Sequence, residues 1–222
     1  MPKISDERRA ERRAQILHAA RHCFQRDGVQ AATMDDIVRA SGLSAGAVYK
    51  YFKSKDELAL ASMTASLAGM QRALTAYLQE PAPEPEELLK VLSGLVLNYS
   101  APTGYDSRRL ALVNWGEAQR NEAFREALRR FYSGFRDDLA RIAQSWQRRG
   151  VIADGANAED VSKAILALLM GFIAQSAIMD DVTPDALARG LGGLRDGHSR
   201  GRAPGDRDGA DGEPRAERPA RP

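Results

Sequence analysis

The sequence has one cysteine, Cys23, and no long apolar run. A single thiol excludes an internal disulfide, which fits a reducing compartment. The longest apolar run is residues 164–174, eleven residues including Gly171, and a helix of that length is too short to span a bilayer. The N-terminal residues are charged and lack the apolar core of a signal peptide. We therefore expect a soluble, cytoplasmic protein.

Signatures of catalysis are also missing. The sequence has no Ser/His/Asp or Cys/His set in a recognisable context, no phosphate-binding glycine loop and no dinucleotide fingerprint. His18 and His22 are four residues apart and could share a helix face. No acid, histidine or cysteine at helical spacing completes a zinc site, so they are interpreted as surface histidines. We expect no enzyme activity, no metal site and no cofactor.

Charge is unevenly spread along the chain. The formal net charge is only +2, with 28 % charged and 43 % hydrophobic residues. Residues 1–55 hold eleven Lys and Arg against six Asp and Glu, whereas residues 56–194 carry a net −4. A basic N-terminal part on a slightly acidic body suits nucleic-acid binding by one end only. Residues 195–222 are rich in Gly, Pro and charge, have no apolar side chain larger than alanine, and are expected to be disordered.

The segment Thr33–Lys55 has the pattern of two short helices joined by a tight turn. Thr33 can N-cap the first helix, and Gly42 supplies the left-handed residue that ends it. Ser44 can cap the second helix and Ser54 a third. This is a helix-turn-helix pattern, and its second helix is the candidate reader of a DNA major groove.

The second helix has an unusual surface for a purely structural element. It begins with three small residues, 45–47, which allow close approach to a flat surface, and continues with Tyr49, Lys50 and Tyr51. Lys55 lies in the first turn of the third helix, at the positive end of the dipole, where a cation is disfavoured unless an anion is also bound. A DNA phosphate is such an anion.

The first sixty residues resemble the DNA-binding domain of the TetR (tetracycline repressor) family of transcriptional regulators. Beyond Leu58 the resemblance is only in helix count and length. The matching residues are Ile16, Leu17, Ala20, Phe24, Gly28, Thr33, Ile37, Ser41, Gly42, Leu43, Ser44, Gly46, Val48, Tyr49, Phe52, Ser54, Lys55 and Leu58.

The resemblance implies roles for individual residues. Lys50 is the only long donor among the base-facing positions and could reach guanine O6 and N7. Tyr49 is expected near phosphate and a base, with packing in the core as the alternative, whereas Val48 and Phe52 are assigned to the core. The residues expected to contact phosphate or sugar are Thr33, Tyr49, Tyr51 and Lys55. The residues expected to face base edges are Ser44, Ala45, Gly46, Ala47 and Lys50.

Periodicity and caps predict an all-α protein of about nine helices. The resemblance implies that an N-terminal three-helix head carries the helix-turn-helix and that a C-terminal helical bundle binds ligand and dimerises. The expected divisions are a DNA-binding head at 1–53, an effector-binding and dimerisation domain at 54–194, and the tail at 195–222. The expected helices are 8–27, the two short ones of the helix-turn-helix, 54–78, 86–100, 107–119, 121–149, 158–179 and a last one beginning near 184.

The helix at 158–179 is apolar on nearly every side, so it needs cover all round. The chain has few elements left to supply that cover, so we expect a twofold interface with a second subunit; a helix buried within one chain is the alternative. In the TetR family the last two helices of each subunit form a four-helix dimer interface. The residues predicted at the interface are the small stripe Ala164, Ala167, Gly171 and Ala174, with Leu187 and Leu191 of the last helix.

TetR-family members bind an effector among apolar side chains of the body, and binding lowers DNA affinity. The function expected is therefore a homodimeric repressor released from a near-palindromic operator by a small, mostly apolar effector. Two alternatives remain: a DNA-binding activator or architectural factor without a small-molecule switch, and a helical ligand-binding or enzymatic protein with a vestigial head. The candidate effector residues are Met63, Met70, Tyr77, Tyr99, Trp115, Phe131, Phe135 and Phe172.

Overall fold

The computed structural model describes residues 6–99 and 104–199, with side chains up to residue 194. Within these ranges the chain forms nine α-helices and no strand, which confirms the predicted fold class. The helices are α1 (Asp6–Ala31), α2 (Met34–Ser41), α3 (Ala45–Tyr51), α4 (Lys55–Thr75), α5 (Pro85–Asn98), α6 (Ser107–Ala118), α7 (Glu122–Arg148), α8 (Ala158–Ile178) and α9 (Pro184–Ser199).

Local capping defines the helices of the head. Thr33 and Asp36 form the expected capping box of α2, in which each side chain accepts from the other's backbone N–H. Gly42 ends α2 at φ 68°, in the left-handed region where glycine avoids the steric cost of a Cβ. The Ser44 hydroxyl accepts from Ala47 N to begin α3. Gly28 is non-helical at φ 76° and ψ 166° and ends the long part of α1 as predicted; one further turn follows this kink.

The body is built around α7. Trp146 near the end of α7 is fully buried, and its indole N–H donates to the Pro83 carbonyl at 2.9 Å. Helix α8 packs along α7, and α9 packs along α5, where Lys90 pairs with Asp185 at 2.9 Å. Helix α4 ends at Thr75, three residues earlier than predicted, and a turn at 76–84 leads into α5.

One apolar core runs from the head into the body. It includes Ile16 and Val48 from the head together with Leu58, Leu110 and Phe124 from α4, α6 and α7. Helix α1 packs against both α4 and α6, so the head is fixed to the body along one side. The predicted division at residue 53 therefore cuts through a continuous core.

Helix α8 presents much of its apolar surface to the outside. Only 28 % of its most apolar 18-residue window is buried within the chain. By length and composition alone α8 could cross a membrane, as many core helices of soluble proteins also could. Ala164, Ala167 and Leu168 are exposed, and Gly171 and Ala174 are half-buried. The face predicted to meet a second subunit is thus left uncovered by the described part of the chain.

Two of the predicted interface residues, Leu187 and Leu191, lie on the last helix, and their place in the interface stays a prediction. Leu187 and Leu191 are half-buried because they pack against the core formed by α5, α7 and α8. They lie on the inner side of α9, whereas Leu194 is 76 % exposed. Most of the tail predicted to be disordered, 195–222, lies outside the described residues; 195–199 continue α9.

The α2 cap provides a test of the head's stability. Thr33→Ala is expected to lower the free energy of unfolding by about 1 kcal/mol, because Asp36 N loses its acceptor. Thr33→Ser retains a hydroxyl and serves as the matched control. Urea unfolding followed by circular dichroism at one fixed protein concentration measures the difference; equal midpoints for Thr33→Ala and the wild type would show that the cap is not stabilising.

Candidate functional site

Helix α3 has one anchored side and one free side. Val48 is fully buried and Phe52, just past the helix, is 2 % exposed, which confirms their assignment to the core. Tyr49 is 40 % exposed, so its ring is not used for packing in the core. Lys50 is exposed as well. The remaining residues of the outer side are small: Ser44, Ala45 and Gly46 are exposed and Ala47 is half-buried.

The free side of α3 carries one cation and no acid, since residues 44–51 contain no Asp or Glu. Its first turn is nearly flat, and two phenols flank Lys50 in the sequence. A seven-residue helix with such a surface can lie in a major groove with its N-terminal residues against base edges.

The other predicted phosphate contacts surround α3. Thr33 is exposed, although its hydroxyl is already bonded to Asp36. Tyr51 is half-buried and packs against the head core. Lys55 is half-buried, and its Nζ donates to the Gln30 carbonyl at 2.7 Å, near the end of α1. The cation at the start of α4 thus has a carbonyl partner in the protein, which the sequence pattern did not indicate.

Arginines extend the basic surface along α1. Arg8, Arg9, Arg12 and Arg13 are all exposed, and the Arg13 guanidinium lies 5.4 Å from the centre of the Phe52 ring. That contact places the charge of Arg13 beside the residue that follows α3. The head therefore combines a small, acid-free reading helix with adjoining cations, the arrangement expected of a surface that meets the DNA backbone.

The body contains a cavity between α4, α5, α6, α7 and α8. About 110 Å³ of it is open to the centre of a water molecule, roughly ten times the space needed for one water, so a small organic molecule fits. The lining is mostly apolar and aromatic, and none of the described residues in it is charged. It comprises Ser66, Leu67, Met70, Leu74, Leu92, Val96, Tyr99, Tyr105, Ser107, Leu110, Ala111, Asn114, Trp115, Leu128, Phe131, Tyr132, Phe135, Leu166, Leu169, Met170 and Ile173.

Five of the eight predicted effector residues lie on this wall: Met70, Tyr99, Trp115, Phe131 and Phe135.

The other three do not line this cavity, and a contact between them and an effector stays a prediction. Met63 is buried in the core shared with the head, because it lies two turns before Met70 on α4. Tyr77 follows the end of α4 and is 42 % exposed. Phe172 is 1 % exposed and is packed on α8 without reaching the cavity.

Sequence reasoning missed the polar part of the wall. Asn114 is only 7 % exposed and interrupts the apolar face of α6 that carries Leu110. A polar residue within an apolar helix face was the sequence feature that could have indicated this polar part of the wall. The Tyr132 hydroxyl accepts from the Trp115 indole N–H at 2.8 Å, and burial raises the pKa of Tyr132 to about 12. Burial also raises the pKa of Tyr99, so its phenol stays neutral at physiological pH.

His18 and His22 are exposed and lie side by side with ring centres 4.7 Å apart. Burial, and then the neighbouring His18, lower the pKa of His22, so its neutral form is favoured. In the described ranges no three His, Cys, Asp or Glu side chains are grouped so that they could hold a metal ion.

Known proteins resemble both parts of the chain. Residues 16–62 match the bacterial regulatory proteins of the tetR family, and residues 91–192 match the C-terminal domain of BetI-type transcriptional repressors. The uncharacterized HTH-type transcriptional regulator YfiR of Bacillus subtilis (strain 168) is 26 % identical over 197 residues, covering 83 % of this chain and 89 % of YfiR.

Solved structures share the fold. Salmonella enterica GusR superposes with a TM-score of 0.67 at 26 % identity, over 87 % of this chain and 98 % of GusR. A transcriptional regulator from Saccharomonospora viridis in complex with choline has a TM-score of 0.69 at 22 % identity, over 84 % of this chain and 96 % of that protein. Because the two matched segments together span more than half of the sequence, the chain belongs to the TetR family of DNA-binding transcriptional regulators.

Proposed function

We propose that this regulator is a homodimeric repressor that holds a near-palindromic operator and is released from it by a small, mostly apolar effector. The observation that carries the proposal is the shared use of α4 and α6. Both helices line the cavity, and both pack against α1 of the head. A ligand in the cavity therefore touches the elements that hold the DNA-binding head in position.

The DNA side of the proposal rests on the free surface of α3. Lys50 reads a guanine from that surface, and the small residues before it bring the backbone close to the base edges. Thr33, Tyr49, Tyr51 and Lys55 bind phosphate or sugar and fix the orientation of α3.

The homodimer is supported by the uncovered face of α8. Ala164, Ala167 and Leu168 are exposed together on that helix, where small side chains allow two helices to approach closely. A twofold axis through this face gives two reading helices, spaced for successive major grooves roughly 34–36 Å apart.

The effector acts through a difference in affinity between the DNA-competent and DNA-incompetent states. Helix α4 runs from Lys55 at the head to Met70 and Leu74 at the cavity. Filling the cavity changes the position of α4 along this length and with it the spacing of the two heads. Residues 54–58 are thus the segment at which binding of the ligand is converted into a change in the spacing of the two reading helices.

The alternative without a small-molecule switch, an activator or architectural factor, leaves the cavity without a role. A vestigial head is disfavoured by the intact caps of α2, α3 and α4 and by the acid-free surface of α3.

Base reading by Lys50 is tested on an operator selected from a random DNA pool. Lys50→Ala is expected to relax the preference at one base position per half-site, with a loss of about 1–3 kcal/mol against the preferred base only. Competition binding to single-base operator variants measures this, with Arg141→Ala, an exposed basic residue of α7, as control. Uniform weakening on every sequence would contradict base reading.

Phosphate binding by Lys55 is tested by salt dependence. Lys55→Ala is expected to weaken binding to all sequences and to reduce the slope of log affinity against log salt by about one, since one phosphate contact is lost. Affinities at several salt concentrations give the slope. If stability falls but the slope is unchanged, Lys55 serves only to tie α4 to the Gln30 carbonyl.

The homodimer is tested at the exposed stripe of α8. Ala167→Arg places a charge in the apolar interface, where it lacks a partner, and is expected to give a monomer of 24.3 kDa that loses operator binding. Gln144→Arg, on the exposed side of α7, is the matched control. Light scattering coupled to gel filtration measures the mass. A dimeric Ala167→Arg protein would show that the dimer interface does not lie on this face of α8.

A further inference from the structure

The polar groups on the cavity wall are of two kinds. Some are already bonded within the chain: the Ser66 hydroxyl donates to the Ser62 carbonyl at 3.1 Å, and the Ser107 hydroxyl donates to the Val96 carbonyl at 2.9 Å. Asn114 and Tyr132 are different, because each keeps hydrogen-bonding capacity that the protein does not use.

The Asn114 side chain has no hydrogen-bond partner among the described residues, although the residue is only 7 % exposed and lies on the cavity wall. An amide offers two N–H donors and one carbonyl acceptor. An amide that faces an apolar cavity without a hydrogen-bond partner from the protein costs free energy, so a wall built only for packing would favour an apolar residue here. Asn114 is therefore placed to form a hydrogen bond with a molecule bound in the cavity.

The Tyr132 hydroxyl is held in place by Trp115, whose indole N–H donates to its oxygen at 2.8 Å. The hydroxyl's own proton has no acceptor among the described residues. Since burial raises the pKa of Tyr132 to about 12, that proton stays on the oxygen and can be donated. Trp115 directly follows Asn114 in α6, and Asn114, Trp115 and Tyr132 all line the cavity.

We infer that the effector is a neutral, mostly apolar molecule with one carbonyl-type group, such as an amide, ester or ketone, which is hydrogen-bonded by Asn114 and Tyr132. The inference rests on the proposed function, since it specifies the ligand of the same cavity.

The absence of charge among the described residues of the cavity wall determines the charge expected of the ligand. No described lining residue is charged, so an anion or cation would be desolvated without a counter-charge. The aromatic rings offer cation–π attraction to a quaternary ammonium, but no described lining residue supplies the carboxylate that would balance its charge in the cavity. A neutral ligand with one polar group matches the unused hydrogen-bonding capacity of Asn114 and Tyr132 and the mostly apolar remainder of the cavity wall.

Four probes of similar size separate these possibilities: phenylacetamide, propylbenzene, phenylacetate and phenyltrimethylammonium. Quenching of Trp115 fluorescence measures binding to the full-length protein, and Trp115→Phe identifies the signal that comes from Trp146. Phenylacetamide is expected to bind at least about tenfold more tightly than either ion, since each ion is desolvated without a partner.

Two variants test the polar contacts. Asn114→Leu and Tyr132→Phe are each expected to weaken phenylacetamide binding by about 3- to 10-fold, the loss of one hydrogen bond, and to leave propylbenzene binding unchanged or tighter. The contrast between the two probes is insensitive to a general loss of stability, and circular dichroism checks that each variant folds.

Three outcomes would overturn the inference. Tighter binding of phenyltrimethylammonium than of phenylacetamide would assign the cavity to a cation. Equal weakening of phenylacetamide and propylbenzene by both variants would make Asn114 and Tyr132 structural only. If none of the four probes binds the wild type, the ligand switch of the proposed function fails together with the inference, whereas the first two outcomes leave the switch intact.

Discussion

The arrangement of this protein depends on the contacts of Gln30 near the end of α1. Its carbonyl accepts from Lys55 Nζ at 2.7 Å, and its side-chain amide donates to both oxygens of Glu117, each at 3.0 Å. Lys55 opens α4 and Glu117 lies in the last turn of α6. One residue of the head thus holds the start of one cavity helix and the end of another. The head cannot shift relative to the body without breaking one of these bonds.

The chemistry of this junction favours discrete positions over continuous sliding. Glu117 is only 6 % exposed, so its carboxylate depends on Gln30 and on Arg120, whose Nε lies 3.8 Å away. Withdrawing Gln30 from a buried carboxylate costs more than the bond itself contributes, because the charge is left without its donor. Glu117 is one turn from Asn114 on α6. In the proposed mechanism, a change at the cavity wall would therefore reach the head through α6 as well as through α4.

The sequence predicted those features that are encoded locally. The capping box of Thr33 and Asp36 and the turn at Gly42 depend on neighbours within four residues, so pattern alone located them. The cavity wall was harder, because periodicity shows which face of a helix is apolar but not which neighbour that face meets at each level. Met63 and Met70 share a helix yet belong to different cores. Leu187 and Leu191 pack against the core of the body on the side of α9 that meets α5, a contact that periodicity does not specify either.

Helix α8 joins the two parts of the proposed mechanism. Its inner side gives Leu166, Leu169, Met170 and Ile173 to the cavity, while Ala164 and Ala167 lie on the exposed surface. If that surface pairs across a twofold axis, a ligand pressing on the inner side acts on the helix that sets the spacing of the two subunits. Close-packed interfaces of small side chains tolerate little displacement, so even a small shift of α8 has to be taken up by the relative angle of the subunits. In the proposed mechanism the ligand would then change the spacing of the two reading helices in two ways, by tilting each head on its own body and by turning the two bodies against each other.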